Sequence, residues 1–159
     1  MENPPPPEME LTLRTIAMPA DANPAGDIFG GLVMSQMDLA AFVRANDVSA
    51  GRTVTVAVNE IVFKKPVKIG DTLCVYTDIK KIGRTSVTLR VEAWTSGYHQ
   101  PSRAKVTDAE FVMVAVDDDG KCSAMPSIFI PRTNAAFPII CECVRVLFGT
   151  AFSGVPRFP

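Results

Sequence analysis

One carboxylate in this 159-residue chain stands apart by its surroundings. Asp38 lies inside the run L-V-M-S-Q-M-D-L-A-A-F-V, from Leu32 to Val43. Leu32, Val33, Met34, Met37, Leu39, Ala40, Ala41, Phe42 and Val43 leave no continuous polar face at a period of 3.6, so a helix here is expected to be covered on all sides. At about 100° per residue the neighbours of Asp38 on its own face are Gly31, Met34, Ser35, Ala41, Phe42 and Ala45. No Lys or Arg is among them. Burying an unpaired charge is expensive, so such a carboxylate must find hydrogen-bond partners or serve chemistry. The ordinary fate of a helical Asp is to face water, and an apolar count alone does not say which face is wet. What precedes the helix favours chemistry. Gly26, Gly30 and Gly31, in A-G-D-I-F-G-G, let backbone approach a ligand or another chain closely. The first N–H groups of a helix have no internal acceptor and carry the positive end of its dipole, which suits a developing oxyanion. An activated carbonyl held there, with a carboxylate about two turns further along the same helix, suggests attack on an acyl group.

Other constellations are thin. His99 is the single histidine. It lies in S-G-Y-H-Q-P-S, a turn-like segment, and is expected at the surface. A Ser-His-Asp triad would have to rely on it alone, and sites needing several histidines are excluded. Cys74, Cys122, Cys141 and Cys143 form no zinc framework, since Cys141 and Cys143 stand one residue apart; all four read as reduced thiols, and no metal or cofactor is expected. Asn23 sits in a turn just ahead of the helix. An Asn there usually bonds its own backbone, but it can equally orient a water or a carbonyl.

The elements that must hold these residues follow from periodicity. Residues 1–9 form a Pro-rich arm. Glu10 to Met18 reads as a strand, Pro19 to Gly26 as a turn, and then comes the helix. Thr53 to Phe63 is rich in β-branched residues and reads as a strand with a bulge near Asn59 and Glu60. Strands are expected over Thr72–Lys81, Thr85–Thr95 and Arg103–Val116, with turns at Gly83–Arg84 and Asp117–Gly120. One strand, one long helix and four successive strands describe an α+β domain over residues 10–126, with an antiparallel sheet against the helix. Five strands of about ten residues cannot easily enclose a helix that is apolar all round, so a second subunit is expected. Residues 127–159 differ in composition and carry no functional reading. With 47% hydrophobic and 21% charged residues the composition is that of an ordinary globular domain. A net charge of −1 gives no case for a nucleic-acid partner. No secretory leader or membrane-spanning run is apparent, which makes the cytoplasm the default.

The blocks from Leu13 to Asp38 (L-R-T-I-A-M-P-A-D-A-N-P-A-G-D-I-F-G-G-L-V-M-S-Q-M-D), Gly51 to Val58, Phe63 to Asp71, Gly83 to Val87 and Phe111 to Asp117 occur in an order that resembles the YciA-type acyl-CoA thioesterases, a hotdog-fold family. The resemblance implies a curved antiparallel sheet wrapped around one long helix, paired into dimers with sites at the subunit interface and often assembled as trimers of dimers. It implies metal-free hydrolysis of acyl-CoA to a carboxylic acid and CoA. Carried over by motif position, Asp38 is the catalytic carboxylate, as general base or as nucleophile. Backbone N–H groups at Gly30 or Gly31 hold the thioester oxygen, and Asn23 orients the thioester or the water. Arg84 and Lys65 would meet CoA phosphates, with Thr53, Thr85 and Ser86 giving hydrogen bonds. Ala25 stands where family members often carry a second Asn. Two other readings compete. A hotdog hydratase or dehydratase would need a His beside its carboxylate, and His99 is poorly placed. A non-catalytic acyl-CoA sensor would not need a carboxylate in the apolar helix.

Overall fold

The computed structural model describes residues 6–49, 51–97 and 102–126. His99, Cys141, Cys143 and the 127–159 extension lie outside the described residues, as do the first five residues of the Pro-rich arm. Strand β1 (Glu10–Ile16) is followed by a 3-10 turn (Pro19–Asp21), helix α1 (Gly30–Ser49), and strands β2 (Thr53–Val58), β3 (Thr72–Ile82), β4 (Ser86–Ser96) and β5 (Arg103–Ala115). The five strands form one antiparallel sheet in the order β1-β3-β4-β5-β2. The element order is the one the periodicity implied, and most boundaries agree to within one or two residues.

The core forms where α1 lies on the sheet. Val33, Met37, Ala40, Ala41, Ala45 and Val48 recur along one face of the helix and are buried. Three alanines in that stripe let the helix backbone come close to the strands, and Met37 fills the space between them. Beneath it lie Leu73 and Val75 of β3, Val87, Leu89, Val91 and Ala93 of β4, and Val106, Phe111 and Met113 of β5, all buried. Fully burying a side chain such as Leu89 or Phe111 contributes about 1.5–3 kcal/mol, so this single layer supplies most of the driving force. The strict alternation of β4 has its cause here, because its inward set faces the helix and Ser86, Thr88 and Arg90 point away.

As the strand count implied, one chain does not cover the helix all round, for Met34, Leu39, Phe42 and Val43 are exposed, and so is Asp38. The apolar residues off the inner stripe form a second, solvent-facing stripe rather than more core. The irregularity expected near Asn59 and Glu60 falls earlier, between Thr55 and Ala57 in the β2–β5 register. After Val58 the chain leaves regular pairing but keeps to the flank of β5, where Asn59 N–H donates to Glu110 O (2.9 Å) and Lys64 N–H to Val106 O (2.8 Å). The Thr107 hydroxyl donates to Val62 O (2.9 Å), which fastens the same segment from the side. Pro66, with no N–H to offer, falls beyond that ladder. The segment therefore ends beside the start of α1.

Candidate active site

The start of α1 is built by its preceding turn. Asn23 Oδ1 accepts from the N–H of Ala25 (2.9 Å) and of Asp27 (3.1 Å). Asn23 N–H donates to Asp27 O (2.7 Å) and Gly26 N–H to Asn23 O (2.9 Å), closing a tight loop in which Gly26 adopts φ +83°. A left-handed residue is needed at that point, and glycine supplies it without steric cost. Ile28 N–H is taken by Val67 O (2.9 Å) and Phe29 N–H by Asp21 O (3.0 Å). Asp27 pairs with Lys68 (2.5 Å), tying the turn to the next segment. Gly30 and Gly31 are then the first residues of the helix whose N–H groups have no acceptor among the described residues. The two glycines differ in role. A Cβ on Gly30 would lie 3.1 Å from Cζ of Phe63, so the missing side chain makes room for that ring. A Cβ on Gly31 would meet nothing within 4 Å.

Asp38 is held by a residue that sequence reasoning passed over. The Thr55 hydroxyl donates to Asp38 Oδ1 at 2.5 Å, and Met113 Sδ lies 3.2 Å from the same hydroxyl oxygen. Thr55 shares a strand face with Thr53, which the resemblance did single out, so period-2 alternation was the signal that could have found it. Thr53 itself is 3% exposed, and its hydroxyl donates to Asn46 Oδ1 at 2.7 Å. Its proton is committed to tying β2 to α1, which corrects the expectation of a hydroxyl open to substrate.

The turn after β3 is firmly fastened. Gly83 N–H donates to Ser86 O (2.7 Å), Ala115 N–H to Thr85 O (2.9 Å) and Met125 N–H to Arg84 O (2.8 Å). Arg84 remains exposed, with Thr85 and Ser86 half-buried. Since Thr55 pairs with Met113 and Ser86 with Val114, this turn lies level with Asp38 across the sheet. Lys65 is elsewhere. It lines a groove of about 360 Å³ beside Gly30, together with Phe63 and Val106. From Val106 to the Arg84 turn the sheet runs about 30 Å, at roughly 3.3 Å per strand residue, so one chain does not bring Lys65 and Arg84 to the same phosphate. Nor does it bring Gly30 and Asp38 to one carbonyl, because eight helical residues span about 12 Å. The expected residues thus fall in two separate groups within one chain: Asp38 and Thr55, level with the Arg84–Ser86 turn although Ser86 itself lies on the sheet face away from α1, and Asn23, Gly30, Gly31 and Lys65 around the helix start.

Among the described residues no three His, Cys, Asp or Glu side chains gather as a metal site, and no helix is long and apolar enough to cross a membrane.

Residues 25–101 match the model of the thioesterase superfamily. The chain is 46% identical over 123 residues to the acyl-CoA thioester hydrolase YciA of Escherichia coli K12, covering 76% of this chain and 93% of that one. The chain belongs to the YciA family of acyl-CoA thioester hydrolases. Among solved structures of thioesterases, a hexameric enzyme from Yersinia pestis shares 47% identity at a TM-score of 0.73, over 77% of this chain and all (100%) of that one. A hexameric hotdog-fold thioesterase of Campylobacter jejuni shares 39% at 0.69, over 74% and 90%. The fold is the hotdog fold of that family, with α1 as its central helix. The superfamily match, over residues 25–101, takes in Gly30, Gly31, Asp38, Thr55 and the Arg84–Ser86 turn.

Proposed function

We propose that the protein hydrolyses acyl-CoA thioesters with Asp38 as general base, at a site completed by a second copy of the chain. The observation that carries this reading is the Thr55–Asp38 hydrogen bond, made beside the exposed apolar side chains of Met34 and Phe42 on the same helix. Thr55 occupies Oδ1 of an exposed side chain, so the carboxylate is oriented and Oδ2 is left for a water. In the reaction Oδ2 takes a proton from water as the water oxygen attacks the thioester carbon. The negative charge that forms on the carbonyl oxygen is met by the Gly30 and Gly31 N–H groups. The tetrahedral intermediate collapses with loss of the CoA thiolate, the proton held by Asp38 passes to the sulfur, and free acid and CoA leave. Asn23 Oδ1 is occupied by two backbone N–H groups. Only its Nδ2 can serve the substrate, as a donor to the carbonyl or the water.

In this reading dimerisation brings the two groups of residues together. β2 is an edge strand with its outer hydrogen-bonding groups unpaired, a standing invitation to pair with another chain. The Thr55–Asp38 bond puts Met34 and Phe42, one turn to either side of Asp38, on the β2 side of the helix, and Leu39 and Val43 continue the exposed apolar surface away from the sheet. Edge and stripe form one surface. Pairing β2 with its copy across a two-fold axis would cover the stripe with the partner's helix, running the opposite way. The helix start of one protomer then comes beside Asp38 of the other. The Arg84–Ser86 turn, level with Asp38, takes the CoA phosphates and the pantetheine amides. The hexameric state of the Yersinia and Campylobacter enzymes supports a trimer of such dimers.

The test is thiol release from an acyl-CoA panel by wild type, Asp38→Asn and Asp38→Ala. Loss of about a hundredfold or more in both variants, with folding intact, is expected for a lost general base. A wild type that binds acyl-CoA without releasing thiol would make the protein a sensor.

A further inference from the structure

The groove beside Gly30 has a chemistry of its own. Its floor is Ile28, Val33, Val67 and Val106, all buried and all apolar. Gly30 and Phe63 line it as well. Three ring atoms of Phe63 lie 3.1, 3.3 and 3.7 Å from where a Gly30 Cβ would be, so the ring rests directly on the helix start. The other side of the ring is open, leaving the residue 44% exposed. Lys64 and Lys65 stand at the rim, and Lys64 is held there by Asp108 at 2.7 Å. An apolar hollow with a few polar groups at its edge is the usual form of a small-molecule pocket, and about 360 Å³ falls in the usual size range.

We propose that this groove takes the acyl chain of the substrate and that Phe63 sets the chain length it admits. The inference rests on the functional reading above, which puts the carbonyl oxygen on the Gly30 and Gly31 N–H groups. With the oxygen fixed there and the sulfur directed to the Arg84 turn of the other protomer, the acyl Cα must leave on the remaining side. The apolar hollow that Gly30 helps to line opens on that side. A chain entering it runs over Val33 and Val106 and meets the Phe63 ring as its side wall. Each site would then draw its base and its CoA contacts from one protomer, and its oxyanion donors and acyl pocket from the partner. Lys65 stands at the acyl end of the substrate, not at the phosphates.

The experiment is a straight-chain acyl-CoA series, short to long, with wild type, Phe63→Ala, Phe63→Leu and Phe63→Trp, each first checked for its unfolding midpoint. Phe63→Ala should move the kcat/KM optimum to longer chains, by about fourfold per methylene that gains cover, with Phe63→Leu in between. Phe63→Trp should move it to shorter chains. Inhibition by free CoA should stay the same in all, because CoA does not enter the groove. A uniform change across the series, or an unshifted optimum in folded variants, overturns the assignment while leaving the hydrolase reading intact. A wild type that releases no thiol from any chain overturns the hydrolase reading instead.

Discussion

Thr55 donates its hydroxyl proton to Asp38 at 2.5 Å, a bond that joins the edge strand β2 to the middle of α1. It fixes the rotamer of the carboxylate at a place where, among the described residues, no cation or backbone N–H does so. Hydrogen bonds to charged groups contribute about 1.5–3 kcal/mol, so Thr55→Val should lower kcat/KM by roughly ten- to a hundredfold. Thr55→Ser keeps the donor and should recover most of that loss. Steady-state kinetics on one good substrate decide the matter; a valine variant within twofold of wild type would make the bond merely structural.

Thr53, two residues earlier on the same strand face, makes the opposite prediction. Its hydroxyl is buried and donates to Asn46 Oδ1 at 2.7 Å. Thr53→Val should cost about 1–3 kcal/mol in stability, since Asn46 is left with an unmet acceptor, and should leave kcat near wild type. A double-mutant cycle with Asn46→Ala, followed by denaturant unfolding, should show coupling between the two sites. If KM for acyl-CoA rises many-fold without loss of stability, Thr53 touches substrate after all.

Much of this arrangement was legible in the sequence. Asp38 stood out because no cation shared its helix face, and Gly30 and Gly31 because they let backbone approach a ligand closely where the first N–H groups of the helix lack acceptors. The five strands followed from period-2 alternation, most clearly in β4. Two things were not legible. Composition does not tell which apolar face of a helix meets the sheet and which awaits a partner, so nothing in the run marked Met34, Leu39, Phe42 and Val43 as the residues that one chain leaves exposed. Nor does a polar residue in a strand announce its partner. Thr53 and Thr55 look alike in T-V-T-V-A-V, and only the packing of α1 gives one to Asn46 and the other to Asp38.

The two helix-start glycines can be separated by the same substitution. Gly30→Ala pushes a methyl into the Phe63 ring, at 3.1 Å from Cζ. Activity and stability should both fall, and the second change Phe63→Ala should restore stability. Gly31→Ala meets nothing within 4 Å in the single chain. Alanine is a better helix former by up to about 1 kcal/mol, so the isolated fold should be as stable or more so. A fall in activity in Gly31→Ala, without a fall in stability, would mean that another chain or the substrate lies against that position; unchanged kinetics would argue that neither does.

Acid should loosen the segment that carries Phe63. Asp108 is hydrogen-bonded to Lys64 (2.7 Å) and paired with Lys105 (3.1 Å), and these contacts hold its carboxyl below the ordinary aspartate value of 3.8. A carboxylate depressed in the folded state contributes stability above its unfolded pKa and loses it as pH falls through the folded value. The tether is therefore intact at neutral pH and weakens only in acid below the ordinary aspartate range. Because the pair is partly solvated, the effect is small and screened by salt. NMR titration of the Asp108 carboxyl should give a value under 3.8, and Lys64→Ala should raise it. A titration unmoved by Lys64→Ala would rule out the tether.

On the sheet face away from α1, Glu92 carries a prediction for stability alone. Its side chain is only 6% exposed, yet every donor it needs is present. Oε1 meets Arg90 (2.7 Å) and Lys105 (2.9 Å), and Oε2 accepts from Trp94 Nε1 (2.9 Å). Removing the charge leaves two cations beside a neutral group in a poorly solvated place. Breaking a buried pair by one partner costs about 3–5 kcal/mol. Arg90 and Lys105 retain some access to water, and Lys105 also has Asp108, so Glu92→Gln should cost about 1–3 kcal/mol. The denaturant midpoint should fall with an unchanged slope, as expected when stability changes and compactness does not. Trp94 fluorescence should report the loosened ring. Glu92 is on the opposite sheet face from Asp38, so kcat/KM for a short acyl-CoA should stay within about twofold at a temperature where the variant is folded. An unchanged midpoint would mean that the network contributes nothing net, as buried ion pairs sometimes do.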